Sequence, residues 1–101
     1  RTNGRTHMKV KDPVIGGAAE SLSGRDKGRL YIIVAAEGER LSLADGKYRK
    51  LSNPKHKNSK HVRLMPFFFP EIVKRAGEGK DANSEIRAAL KRLKTGGENN
   101  I

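Results

Sequence analysis

The chain has 101 residues and a formal charge of +11, because 22 Lys and Arg face 11 Asp and Glu. One small domain fits this length and its apolar content of 35%, and a doubly wound sheet does not. The chain contains no cysteine, which excludes a disulfide framework and Cys-ligated zinc. No apolar run approaches the roughly 20 residues that span a bilayer, so we expect no membrane partner, and the charge favours nucleic acid.

Residues 1–8 are polar and carry no regular pattern. They lack the apolar stretch of a secretory signal, so we expect a cloning remnant or a disordered N-terminus there. A chain without cysteine suits a reducing compartment, and we therefore expect a cytoplasmic protein.

Strand and turn signals crowd the region 14–64. Five short strands are predicted, at residues 18–22, 30–35, 41–43, 47–51 and 61–64. Asp45 followed by Gly46 is a strong hairpin signal leading into the fourth of these strands. Pro54 breaks that strand, and a loop is predicted over 55–60. The pattern predicts a mainly β fold, a small antiparallel five-stranded barrel.

The pattern becomes helical after residue 65. Phe67, Phe68 and Phe69 lie between two prolines, and a short helix is predicted from Pro70 to the glycines at 77 and 79. Apolar residues at helical spacing predict a second helix, capped by Asn83 or Ser84 and ended by the glycines at 96 and 97. We thus expect a Phe-rich linker and two short helices over 65–95, closing one end of the barrel, and a frayed tail over 96–101.

The positive charge is concentrated in residues 46–70, which contain seven bases and no acid. A charge run is often no more than a solvated surface. Apolar and aromatic residues such as Tyr48, Leu51 and Val62 are threaded through this one, which favours a folded basic surface over a loose tail.

Three ordered segments resemble a known family. They are residues 24–29 (GRDKGR) with the strand after them, 44–51 (ADGKYRKL) and 53–62 (NPKHKNSKHV). Together they are similar to bacterial KOW-domain RNA-binding proteins related to archaeal and eukaryotic ribosomal proteins, and the similarity covers residues 14–64. The helical segment 83–90 (NSEIRAAL) is similar to the tail of some bacterial members. Ala18 and Ala19 stand where the family usually has larger β-branched residues.

The resemblance implies an SH3-like barrel whose first two strands are joined by a glycine-bearing loop. It also implies binding to ribosomal or other structured RNA in translation, and association with the ribosome. Gly24, Asp26 and Gly28 are predicted to build the loop, since glycine takes positive φ and lets a backbone approach a ligand. Basic side chains neutralise phosphates, and Arg and His also stack on bases. The predicted RNA-binding residues are Arg25, Lys27, Arg29, Lys47, Arg49, Lys50, Lys55, His56, Lys57, Lys60 and His61.

The sequence supports an enzymatic function poorly and leaves one alternative to RNA binding. The sequence contains no Ser-His-acid order, P-loop or metal-ligand spacing, and His56 and His61 lack a neighbouring Cys or carboxylate, so we expect no catalytic residue, metal or cofactor. The open alternative is a protein-interaction module that docks a protein partner through the Phe67, Phe68 and Phe69 patch and the C-terminal helices.

Overall fold

The computed structural model describes the backbone of residues 12–99 and the side chains of residues 12–94, so the prediction for residues 1–8 lies outside the described residues. The strands are Gly17–Ser21 (β1), Leu30–Glu37 (β2), Arg40–Ala44 (β3), Lys55–Asn58 (β4) and Val62–Phe68 (β5). The helices are Pro70–Gly77 (α1) and Asn83–Asn99 (α2).

The five strands form one antiparallel sheet in the order β4-β3-β2-β1-β5. The predicted antiparallel, mainly β architecture is therefore confirmed, but the sheet is open and the predicted closed barrel is wrong. A 3-10 turn, Ser59–His61, carries the chain from one edge strand to the other. Its backbone bonds to other loops: Ser59 N–H donates to Glu39 O at 2.7 Å, and Leu22 N–H donates to His61 O at 2.8 Å. These bonds extend the β3–β4 and β1–β5 pairings into the turn that joins the two edge strands.

The sheet buries side chains on both faces because successive residues of a strand point to opposite sides. On one face Ala18 and Ile32 pack against α1 and α2. On the other face Ala19 and Ile33 belong to a buried cluster made of strand residues alone. Register shifts in β1 and β2 bend these strands, which lets the sheet curl over that cluster. Strand β1, which carries the small residues Ala18 and Ala19, is thus buried on both faces.

The segment between β3 and β4 differs from the prediction. Residues 47–51 are not a strand, because the Asp45 carboxylate accepts the backbone N–H groups of Lys47 at 2.9 Å and Arg49 at 2.8 Å and folds the chain into a compact loop. The predicted loop at 55–60 instead supplies β4 at Lys55–Asn58, which pairs with β3. An edge strand needs backbone pairing more than apolar side chains, and lysines protect its open side.

The region predicted as a Phe-rich linker is partly strand, since β5 extends to Phe68 and pairs there with Gly17. The helices cover a face of the sheet instead of closing one end of a barrel. Phe69 packs against this helical cluster, whereas Phe67 and Phe68 are 44% and 53% exposed. Neither helix within residues 12–99 is both long and apolar enough to cross a membrane.

The helix boundaries are partly as predicted. Helix α1 begins at Pro70 and ends at Gly77. Helix α2 continues to Asn99, past the glycines predicted to end it and into the segment predicted to fray, because glycine weakens a helix but keeps its backbone donor. The N–H group of its first residue, Asn83, donates to the Asp81 carboxylate at 2.9 Å, so Asp81 stands in place of the predicted caps.

Candidate nucleic-acid interface

The loop between β1 and β2 is anchored from inside by Asp26, which is only 8% exposed. Its carboxylate accepts hydrogen bonds from the Ser21 hydroxyl at 2.9 Å and the Tyr31 hydroxyl at 2.8 Å. The Lys57 ammonium group lies 3.2 Å from the same carboxylate and also donates to Ser23 O at 3.1 Å. The loop is therefore tied both to its own strands and to β4, the far edge of the sheet.

These contacts keep Asp26 charged. Burial raises its pKa, but hydrogen bonds from Tyr31, Ser21 and Lys57, together with the positive charge of Lys55 at 3.8 Å, outweigh burial and lower the pKa to about 2. Burial, followed by the hydrogen bond to the Asp26 carboxylate, raises the pKa of Tyr31 above its ordinary value. The pair therefore consists of a carboxylate and a neutral phenol at neutral pH.

Gly24 and Gly28 bracket this loop with φ of +84° and +91°. Gly28 N–H donates to Ser21 O at 2.8 Å and closes the loop. The three residues predicted to build the loop thus lie at its two turns and at its buried anchor. The Asp26 carboxylate is bonded to side chains of β1, β2 and β4, and its partner on β4, Lys57, is a long-range contact that the sequence did not indicate.

Tyr48 stands out on the surface beside this loop, with 69% of its side chain exposed. The Arg29 guanidinium carbon lies 5.2 Å from the ring centroid, and the Lys47 ammonium lies 5.0 Å from it. Both distances are within cation–π range. The loop that carries the ring is fixed on α2, since Leu51 N–H donates to the Asn83 side chain at 2.8 Å and Arg87 donates to Gly46 O at 2.5 Å.

Two depressions flank Tyr48, and both are lined by Tyr48, Arg29 and Asp45. The larger, about 480 Å³, lies between the Tyr48 loop and α2, and the smaller, about 210 Å³, faces β4. We call their combined basic lining the basic band. Its basic residues are Arg25, Arg29, Lys47, Arg49, Lys55, Arg87, Lys91 and Lys94.

The structure brings five of the predicted RNA-binding residues into the basic band: Arg25, Arg29, Lys47, Arg49 and Lys55. Lys57 is directed inward to Asp26, so it serves the loop and not the surface. His56 lies at the β4 edge with its Nδ1 atom 3.1 Å from the Ser42 hydroxyl. The remaining four line neither depression: Lys27, Lys50, Lys60 and His61.

Three bases of the band were not predicted from the sequence. Arg87, Lys91 and Lys94 are spaced by four and three residues on α2, which places them on one face of the helix. That spacing is visible in the sequence. It did not indicate a site, because acidic residues elsewhere in the C-terminal region balance most of its charge.

An apolar depression of about 230 Å³ lies on another part of the surface, beside β1 and β5. Val14, Met65, Phe67 and Phe68 line it. Phe69, the third residue of the predicted patch, lies apart from this depression, with the Arg92 guanidinium 5.6 Å from its ring. The predicted patch is therefore reduced to two of its three phenylalanines.

Within the part of the chain that the structure describes, no three His, Asp or Glu side chains form a group that could hold a metal ion. No protein-family model matches the chain, and no curated protein sequence matches it.

Proposed function

We propose that the protein binds ribosomal or other structured RNA in translation, as a KOW-type RNA-binding domain, through the basic band. The observation that carries this proposal is the placement of eight Arg and Lys side chains around one exposed tyrosine. Basic side chains packed this closely neutralise phosphates, and an exposed aromatic ring offers a stacking surface for a nucleobase.

The two acids that line the depressions, Asp26 and Asp45, cancel only part of the charge of the band. Asp26 is buried and bonded to Ser21, Tyr31 and Lys57. Asp45 is occupied by two backbone N–H groups of its own loop. Each acid holds a loop in place, and eight cations against two carboxylates leave the lining with a net positive charge. Such a surface attracts a polyanion and orients it on the protein.

The proposed KOW-type, SH3-like classification is supported by the strand order and by the sequence resemblance. A β-loop-β unit, β1 and β2 with the loop at residues 22–29 between them, lies in the middle of the sheet. Strand β5 returns through a 3-10 turn to pair with β1 on its other side. RNA of the translation apparatus as the target would place the protein in the cytoplasm, in association with ribosomes.

Affinity for a structured RNA hairpin is expected to fall steeply with salt. Contacts to about four to six phosphates predict a slope of about −3 to −5 for log affinity against log salt concentration. The double variant Lys47→Ala with Lys94→Ala removes one lysine side chain from each wall of the larger depression and should flatten this slope by about 1.5. Fluorescence anisotropy titrations between about 50 and 200 mM KCl measure both slopes.

The matched control is the double variant Lys74→Ala with Lys80→Ala, which removes the same charge from positions that line neither depression. It should keep a slope close to that of the wild type. Equal flattening in both double variants would show that total charge, and not the basic band, determines binding. A wild-type slope near zero would reject RNA binding by this surface.

A second candidate function is the docking of a protein partner through Phe67 and Phe68. The apolar depression beside β1 and β5 is the observation that favours it. Binding of a protein through an apolar surface responds little to salt. The same salt titration, carried out with a protein partner in place of RNA, therefore separates the two functions.

A further inference from the structure

We propose that the larger depression of the basic band holds one unpaired nucleotide of the RNA, with its base stacked on Tyr48. This inference rests on the proposed RNA binding and adds the class of RNA that the site selects: structured RNA with a bulged or looped-out residue.

The shape of the depression suits a single flat base. Its volume of about 480 Å³ lies within the range of sites for small ligands, about 300–1,000 Å³. Leu30 and Leu90 line it with apolar surface, and Gly28 presents no side chain. The bases in a paired helix are stacked inside the duplex, and their flat faces are not available to such a surface. A base that enters this depression must therefore be unpaired.

The charges around the depression suit the phosphates of that nucleotide. Arg29 and Lys47 stand on the side of the Tyr48 loop, and Lys91 and Lys94 line the side of α2. A nucleotide between these walls has its base against apolar atoms and its two flanking phosphates beside cations. The smaller depression continues the band with Arg25 and Lys55, along the path of the neighbouring backbone.

The loop that carries Tyr48 is held in place by hydrogen bonds. Asp45 fixes the loop through two backbone N–H groups, and Arg87 holds it to α2 through Gly46 O. The backbone that carries the ring is therefore already ordered before a base stacks on it, which lowers the entropy cost of binding. The cations 5.0 and 5.2 Å from its centroid are placed to contact both the ring and a bound phosphate.

The test compares two RNA hairpins whose strands are joined by a hexaethylene glycol linker instead of loop nucleotides, so that a single bulged adenosine is the one unpaired residue and the one difference between them. Wild type, Tyr48→Phe and Tyr48→Ala are titrated with both. Wild type and Tyr48→Phe are expected to bind the bulged hairpin about tenfold more tightly than the paired one, since either ring can stack on a base. Tyr48→Ala should bind both hairpins equally and keep the salt slope. Phe67→Ala, which removes another exposed aromatic ring outside the band, should retain the wild-type preference.

A direct readout of stacking uses 2-aminopurine in place of the bulged adenosine. Its fluorescence should be quenched further on binding of wild type and should not be quenched by Tyr48→Ala. Because Tyr48 is exposed, circular dichroism spectra of all variants should match that of the wild type.

The outcomes distinguish this inference from the proposed function. If wild type binds both hairpins equally with a steep salt dependence, the unpaired-nucleotide site is wrong and RNA binding stands. If neither hairpin binds in a salt-dependent way, the proposed function itself fails. Loss of the preference in Tyr48→Phe would overturn stacking in favour of the hydroxyl group. Full displacement of the bulged hairpin by AMP, at concentrations near those of the RNA, would overturn the assignment to RNA.

Discussion

Replacement of Asp26 by Asn is expected to lower the free energy of unfolding by about 2–4 kcal/mol. Three donors converge on this carboxylate, from Ser21, Tyr31 and Lys57. An amide can accept hydrogen bonds only at its oxygen, and its NH₂ group would face a donor. The Lys57 ammonium group would also lose its counter-charge. Thermal unfolding followed by circular dichroism should show a Tm lower by about 10–25 °C.

The control for this variant is Glu39→Gln, an identical chemical change at an exposed hairpin position. It should change the free energy of unfolding by no more than about 0.5 kcal/mol. Equal stabilities for Asp26→Asn and Glu39→Gln would show that the buried network does not hold the loop.

The pH dependence of stability tests the same network independently. The pKa of Asp26 is lowered from 3.8 to about 2 in the folded protein, so above about pH 4 its carboxylate is charged in both states and contributes fully. As the pH falls from about 4 to about 2, the unfolded state takes up the proton first, and about 2 kcal/mol of stability is lost. Urea unfolding across this pH range should show that the wild type loses about 2 kcal/mol more stability than Asp26→Asn does. Parallel curves would contradict the lowered pKa.

Replacement of Gly46 by Ala is expected to destabilise the protein by about 3 kcal/mol or more and to displace the Tyr48 loop. Gly46 has φ of +80°, a conformation that side chains rarely adopt. A Cβ atom there would also collide with the backbone oxygen of Asn83 and would lie 2.9 Å from Arg87 Cγ. Neither the backbone of α2 nor the 45–51 loop can move away without breaking the contact between them. Urea unfolding measures the loss of stability, and tyrosine fluorescence reports the change around Tyr48.

The matched control is Gly28→Ala. Gly28 also has a positive φ, +91°, but apart from its chain neighbours no heavy atom of the described residues lies within 4 Å of the position of its Cβ. Its substitution should cost only the backbone strain, about 1–2 kcal/mol. Equal losses in the two variants would show that packing of the 45–51 loop on α2 adds nothing to backbone strain.

The sequence alone was sufficient for elements whose signals are local. Strand β2 is rich in β-branched and aromatic residues, and Gly38, with φ of +61°, turns the chain from β2 into β3, which is a local signal of the same kind. Helices α1 and α2 follow the apolar spacing of a helix, because one face of each packs against the sheet. The basic character of residues 46–70 likewise needed no structure to find.

Other features were decided by tertiary contacts that have no local signal. Strand β4 has no apolar residue, and its strand conformation depends on backbone pairing with β3. The segment 47–51 alternates like a strand, yet Asp45, Asn83 and Arg87 fold it onto α2. Lys57 and Lys91 both look like surface bases in the sequence, but one neutralises the buried Asp26 and the other lines the basic band. Periodicity reports which face of an element is buried, whereas the partner of a charge depends on which distant segment the fold brings beside it.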